Sequence, residues 1–269
     1  MSNQFKVNKT KVALNRGEPV ILADINRVFD PVVVEMIAQA GYNCVWIDME
    51  HTHLNLEGLY HLIITAQMVD LDVIVRIPHG PYNQVIKPLE LGAGGLIWPH
   101  CKNADEARHF VKMAKYRPIG MRGMGLGRDS HYGQLELKNY LEQANEQTIL
   151  GVMIEDKEGV DDVNAIAAVN GIDLLFVGHG DLSQSYDIVG ETDHPINHEI
   201  ILEVYDKVGA ACRNHGKVMG TPVEPGQSMF NVVKKGVRWI NCSQDVSALR
   251  NGYSNALQST HDILKEVDL

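Results

Sequence analysis

The chain has 269 residues, 45% of them hydrophobic and 22% charged, with a formal net charge of −10. That balance suits a soluble globular protein and repels a phosphate backbone, and no apolar run is long enough to cross a bilayer. Nucleic-acid and membrane roles are not expected, and the length accommodates two small domains or one large α/β barrel.

The opening stretch, "MSNQFKVNKTKVALNRG", is polar and mildly basic and lacks the apolar core of a signal peptide. Short β-branched runs then alternate with amphipathic stretches to the end of the chain. Strands are predicted near 20–25, 44–49, 72–77, 95–99, 149–155, 172–178, 217–221 and 237–242. Helices are predicted near 31–40, 56–69, 82–91, 103–115, 158–169, 196–215 and 224–235, with another after 245. Asn55 is a candidate N-cap, and Gly41, Gly92, Gly171, Gly216 and Gly236 fall where left-handed C-caps belong. Eight strand–helix repeats with strands apolar on both faces predict a single (β/α)8 barrel over 1–269, with no linker dividing it. Residues 116–148 interrupt the pattern with a long loop near 116–133, "YRPIGMRGMGLGRDSHYG", expected to serve the active site, and a short helical pattern after it. Its glycines imitate a dinucleotide fingerprint but follow a helix rather than a strand, so an anion-contacting lid using Arg122 and Arg128 is the better expectation. Cys44, Cys101, Cys212 and Cys242 show neither a disulfide framework nor zinc spacing, which suits a reducing cytoplasm.

In such a barrel the active site gathers at the C-terminal ends of the strands. Taken in order those ends supply Asp24, then Asp48, Glu50 and His51, Arg76, His100, Glu155, Asp181, Thr221, and Asn241 with Ser243. Glu155 and Asp181 on neighbouring strands suit a hard divalent ion that keeps positions open for water or substrate oxygens. Helix capping is an equally good account of each taken alone. Arg76 ends an apolar strand and needs an anion, either a substrate oxyanion or a barrel carboxylate. His51 can act as a base near neutral pH, with Asp48 or Glu50 to orient it. Taken singly, His53, His79, His100, His131 and His179 are weaker candidates.

The stretches "WIDMEH", "VIVRIP", "YRPIGMRG", "VMIED" and "VGHGDLS" resemble, in collinear order from about residue 11 to about 250, the HpcH/HpaI aldolase family of metal-dependent class II pyruvate aldolases. The resemblance implies a TIM barrel of the phosphoenolpyruvate/pyruvate type, often a hexamer built from dimers that exchange the last helix. It implies a carbon–carbon lyase that cleaves a 4-hydroxy-2-oxo acid to pyruvate and an aldehyde with Mg²⁺, Mn²⁺ or Co²⁺. By the same resemblance Glu155 and Asp181 are the metal ligands and His51 the acid/base, with Asp48 as its orienting partner. Arg76 is then the substrate arginine, and the amides of Gly180 and Asp181 receive the pyruvate carboxylate. The chain departs from the family pattern at Ala23-Asp24-Ile25, at Met153, at Glu90, and at His179 in "GHGDLS", which points to a remodelled pocket for the aldehyde half. Alternative readings are a citrate-lyase or malyl-coenzyme A lyase type enzyme, an oxaloacetate decarboxylase, or a non-catalytic or sugar-phosphate-binding barrel.

Overall fold

The computed structural model describes residues 5–267. Its eight strands are β1 (Val20–Ile25), β2 (Cys44–Asp48), β3 (Asp72–Arg76), β4 (Gly95–Trp98), β5 (Ile149–Ile154), β6 (Leu174–Val177), β7 (Val218–Pro222) and β8 (Val237–Gln244). They close into a barrel in chain order, each parallel to its neighbours, and β1 pairs with β8 to shut the ring. Side chains alternate across each strand, so an apolar run serves two cores at once. Leu22, Trp46, Ile74, Ile97, Phe176 and Trp239 fill the barrel interior. Val45, Ile47, Val73, Val75 and Val152 face outward into the larger layer beneath the helices.

The helices are α1 (Lys9–Asn15), α2 (Pro31–Gln39), α3 (Leu56–Met68), α4 (Tyr82–Leu91), α5 (Ala104–Ala114), α6 (Leu137–Gln147), α7 (Lys157–Asp161), α8 (Val163–Ala167), α9 (His179–Ser185), α10 (Glu199–His215), α11 (Gln227–Lys234) and α12 (Asp245–Glu266). Asn55 caps α3 through the Gly58 amide at 2.8 Å, and Gly92 and Gly216 close α4 and α10 with φ of 106° and 64°. The helix predicted over 158–169 breaks into α7 and α8 at Asp162, whose carboxylate accepts the first amide of α5, Ala104 N, at 2.8 Å. Two helices were not predicted, because each has only seven residues and too little pattern to read. One is α9 and the other is α1, whose Ala13 and Leu14 pack against the interior cluster at the N-terminal end of the barrel.

The long loop does not cover the strand C-terminal ends of its own barrel. Gly125 and Gly127 lie against Glu90 near the end of α4, and Arg128 Nε donates to Gln67 at 3.0 Å. Arg128, Asp129, His131 and Tyr132 share a cavity of about 550 Å³ with Leu71–Val73 and Gly92–Gly94, the approaches to β3 and β4. Arg122 is not free to meet an anion. It is buried, bonded to Asp129 at 2.7 Å, and lies over the Tyr116 ring. The expected lid is thus a packed outer wall, because its arginine and acid neutralise each other within the loop.

Helix α12 leaves the barrel, and past Asp245 none of its described residues is buried. Leu249, Tyr253, Leu257 and Leu264 are exposed along it. Among the described residues no helix is long and apolar enough to cross a membrane.

Candidate active site

The end of β2 and the end of β3 lie side by side, with Asp48 registered against Arg76. Their side chains form a two-pronged ion pair, Nε to Oδ1 at 2.8 Å and Nη2 to Oδ2 at 2.7 Å. Asp48 Oδ1 also accepts the Glu50 amide at 2.9 Å, and Asp48 is 2% exposed. Burial alone would draw the Arg76 pKa down, but the bonds to Asp48 and the nearby carboxylates raise it, so the guanidinium stays charged. The fork leaves one edge of Arg76 over: Nη1 lies 3.3 Å from Glu50 Oε2 and 3.9 Å from the Met153 sulfur.

His51 is half exposed at the mouth, and its Nε2 is 3.5 Å from Glu50 Oε2. Both Asp48 oxygens bond Arg76, and the carboxylate that the described contacts place beside the His51 ring, where Asp48 was expected, is Glu50. The reason is register. Asp48, the last residue of β2, is registered against Arg76 on β3, whereas Glu50 lies in the bend beyond the strand. Burial raises the Glu50 pKa, with Arg76 and His51 opposing the rise. His53, the other histidine of the stretch, packs edge-on against Phe29 at 5.0 Å.

Across the barrel, at the end of β5, Glu155 is 1% exposed. Its Oε1 accepts the His100 amide at 2.7 Å, while Oε2 is buried with no hydrogen-bond partner among the described residues. Burial pushes this carboxyl up to about 7, partly offset by the His100 amide and ring and reinforced by the Asp181 and Glu50 charges. The backbone makes room for it. A Cβ on Gly178 would stand 2.6 Å from Glu155 Oε2, so the residue after β6 must be glycine for the carboxylate to fit. Asp181 lies in the first turn of α9, which has no side-chain cap, and Gly180 before it is exposed with open space where a Cβ would be. Neither carboxylate is used for helix capping. His100 reaches this group with a left-handed backbone, φ 48°, and its Nδ1 is 3.0 Å from Asp156 and 3.7 Å from Glu155. Burial would lower the His100 pKa, but those two carboxylates outweigh it and raise it.

A pair of carboxylates, one with an orphaned buried oxygen, fits a hard divalent ion. Among the described residues no group of three or more His, Cys, Asp or Glu side chains is arranged to hold an ion. Any ion here would therefore complete its shell with water or substrate oxygens.

On the remaining side, Asp24 and Asn241 occupy the inner faces of β1 and β8, bonded at 2.6 Å. His179 is buried, with Nδ1 unpartnered among the described residues and its ring tilted against that of His194 at 5.1 Å, and burial takes its pKa down to about 4. Sequence reading passed over Asp245, although an acid at the start of the helix after β8 was visible. Its Oδ2 accepts three successive amides of the loop after β1, those of Asn26, Arg27 and Val28, at 3.1, 2.9 and 2.7 Å. Arg27 Nη1 in turn donates to the His51 carbonyl at 3.1 Å.

Residues 27–252 match the family described as HpcH/HpaI aldolase/citrate lyase. The chain belongs to this family. It is similar to the hydroxypyruvate/pyruvate aldolase of Roseobacter denitrificans, 30% identical over 91% of this chain and 94% of that one. It is 34% identical to the 4-hydroxy-2-oxovalerate aldolase of Rhodococcus jostii over 82% of this chain and 84% of that one. Among solved structures, an HpcH/HpaI aldolase from Desulfitobacterium hafniense superposes with a TM-score of 0.86 at 29% identity, covering 93% of this chain and 95% of that one.

Proposed function

We propose that this chain is a carbon–carbon lyase that reversibly cleaves a 4-hydroxy-2-oxo acid to pyruvate, or a close analogue, and an aldehyde, with a divalent ion such as Mg²⁺, Mn²⁺ or Co²⁺. The observation that carries the reading is Glu155: a carboxylate 1% exposed, with a buried oxygen left unpaired, beside the charge of Asp181 and across the mouth from Arg76 and His51. Leaving such a group unpaired is costly, and a bound cation removes that cost. The activities named for the aldolase relatives and the family membership support the same chemistry.

In this reading Glu155 and Asp181 hold the ion, which when bound supplies Lewis acidity at the 2-oxo group. The amides of Gly180 and Asp181 receive the substrate carboxylate, and the open space at Gly180 leaves room for it. Arg76 turns its Nη1 edge, the one outside the Asp48 fork and beside Glu50, toward the oxygen on which negative charge develops, and Asp48 fixes the plane of that guanidinium. His51 takes the proton of the 4-hydroxyl. The O–H electrons become the aldehyde π bond, the C3–C4 bond breaks, and its electrons pass to C3 and the 2-oxo oxygen. Glu50 positions His51 by holding its Nε2 at 3.5 Å. The apolar stripe on α12 supports a homo-oligomer, and the four free cysteines suit a reducing cytoplasm. The test is NMR of pyruvate methyl exchange in D₂O: rapid exchange with a divalent ion and its loss in EDTA are expected. Undiminished exchange after complete removal of metal would overturn the reading.

A further inference from the structure

Asp24 is a buried carboxyl group that the chemistry above does not use. It is 7% exposed, on the face of β1 that carries Leu22 into the barrel interior. Its partner Asn241 stands in one orientation only. Trp239 is wholly buried, and its indole N–H donates to Asn241 Oδ1 at 3.0 Å, which turns the amide NH₂ toward Asp24 Oδ1 at 2.6 Å. A chain of two hydrogen bonds thus runs up the β8 side and ends on one oxygen of Asp24. The other oxygen, Oδ2, has no hydrogen bond among the described residues and is absent from the wholly buried unpaired atoms. It therefore keeps a path to the barrel mouth. The nearby cation is turned to other partners, the ion pairs of Arg76 among the described residues being with Asp48 and Glu50. Burial holds the Asp24 pKa well above the usual carboxylate range, with Asn241 and Arg76 opposing the rise.

The ring order β1 to β8 puts β1 across from β5. On the reading given under Proposed function, on which this inference rests, the substrate carboxylate sits beyond β6 and the 2-oxo oxygen faces Arg76. The third carbon then points away from β5 and β6, toward the wall made by Asp24 and Asn241. We infer that Asp24 is a specificity-determining residue that contacts the C3 substituent of the donor and selects a 2-oxo acid bearing a hydroxyl there, hydroxypyruvate being the smallest. A hydroxyl both donates and accepts, so it satisfies the free oxygen whether or not Asp24 carries a proton. A methyl group satisfies neither state, and a site built to hydrogen-bond a hydroxyl discriminates strongly against an analogue without one.

The test compares hydroxypyruvate and pyruvate as donors to one aldehyde, glycolaldehyde, with wild type, Asp24→Leu and Asp24→Asn, each with Mg²⁺. Asp24→Leu removes the polar group at similar volume, and Asp24→Asn keeps a hydrogen-bonding end. For Asp24→Leu, kcat/KM with hydroxypyruvate should fall roughly 100-fold while that with pyruvate changes less than about 3-fold, and Asp24→Asn should retain most of the preference. Equal losses with both donors in Asp24→Asn as well as Asp24→Leu, or an unchanged donor ratio, would overturn the inference. Saturation-transfer NMR of both 2-oxo acids reads binding without turnover. If wild type turns over neither donor but binds hydroxypyruvate in preference, and Asp24→Leu abolishes that preference, the inference stands and the aldolase reading fails. If wild type shows no such preference in binding or turnover, Asp24 does not set specificity.

Discussion

Glu155→Gln should flatten the pH dependence of stability of the metal-free protein. Burial is the main cause of the rise in the Glu155 pKa from 4.5 to about 7. A carboxyl whose folded pKa exceeds its unfolded one binds a proton on folding. Its stabilising contribution is complete below about 4.5 and is lost as pH climbs through about 7. At ~1.4 kcal/mol per pH unit the separation is worth on the order of 3 kcal/mol. In a domain of this size that is roughly 6–10 °C in Tm. His100, whose pKa is also raised, loses its contribution in the same direction, so the difference between wild type and variant reads the two groups as a pair. The assay is thermal unfolding in EDTA from pH 5 to pH 8. Wild type should lose stability across that range and the variant much less. At pH 8 a saturating divalent ion should restore wild type by ~2.7 kcal/mol at a hundred times its Kd, and should leave the variant nearly unchanged. Parallel curves for the two proteins in EDTA would refute the assignment of an unpaired buried carboxyl at this position.

Arg76→Lys should lower kcat/KM by about 100-fold, since loss of one oxyanion donor costs roughly 3 kcal/mol; urea unfolding should show a further ~1.5–3 kcal/mol from the broken fork on Asp48. Kinetics close to wild type would leave Arg76 a structural role only. His51→Ala should lose about 10²–10⁴-fold in retro-aldol cleavage with metal affinity unchanged by calorimetry. It should lose less in oxaloacetate decarboxylation, which abstracts no hydroxyl proton, and His53→Ala, packed on Phe29, should be nearly silent. Equal losses in both reactions would mean that His51 supports the fold or the carboxylate pair instead. Asp181→Ala should abolish binding of micromolar metal while the far-UV circular dichroism and melting profile remain those of a folded barrel. Retained metal and activity would remove Asp181 from the ligand set.

The barrel was legible because its strands are apolar on both faces and its helices end on glycines, signals that lie within a few residues of one another. The strand-end positions of Asp48, Arg76, Glu155 and Asp181 followed from that periodicity. What joined them did not. Whether Asp48 served Arg76 or His51 depended on the register of β2 against β3, and nothing in "WIDMEH" or "VIVRIP" encodes the register. The burial of Arg122 was hidden for a similar reason, since its partner Asp129 closes a loop whose path over α4 is set by tertiary packing. The need for glycine at 178 arises from a side chain on the adjacent strand, so only the assembled barrel reveals it.

Asp245 stands at the root of the one helix that departs from the barrel, yet its carboxylate grips the loop after β1 by three amides. Arg27 in that loop holds the backbone of His51. The root of the projecting helix and the backbone of His51 are therefore two ends of one short run of hydrogen bonds, with Asp245 as the pivot. This connection runs outside the barrel core. In the homo-oligomer proposed above, the seating of α12 and the placement of His51 would then be linked, and dilution would lower activity.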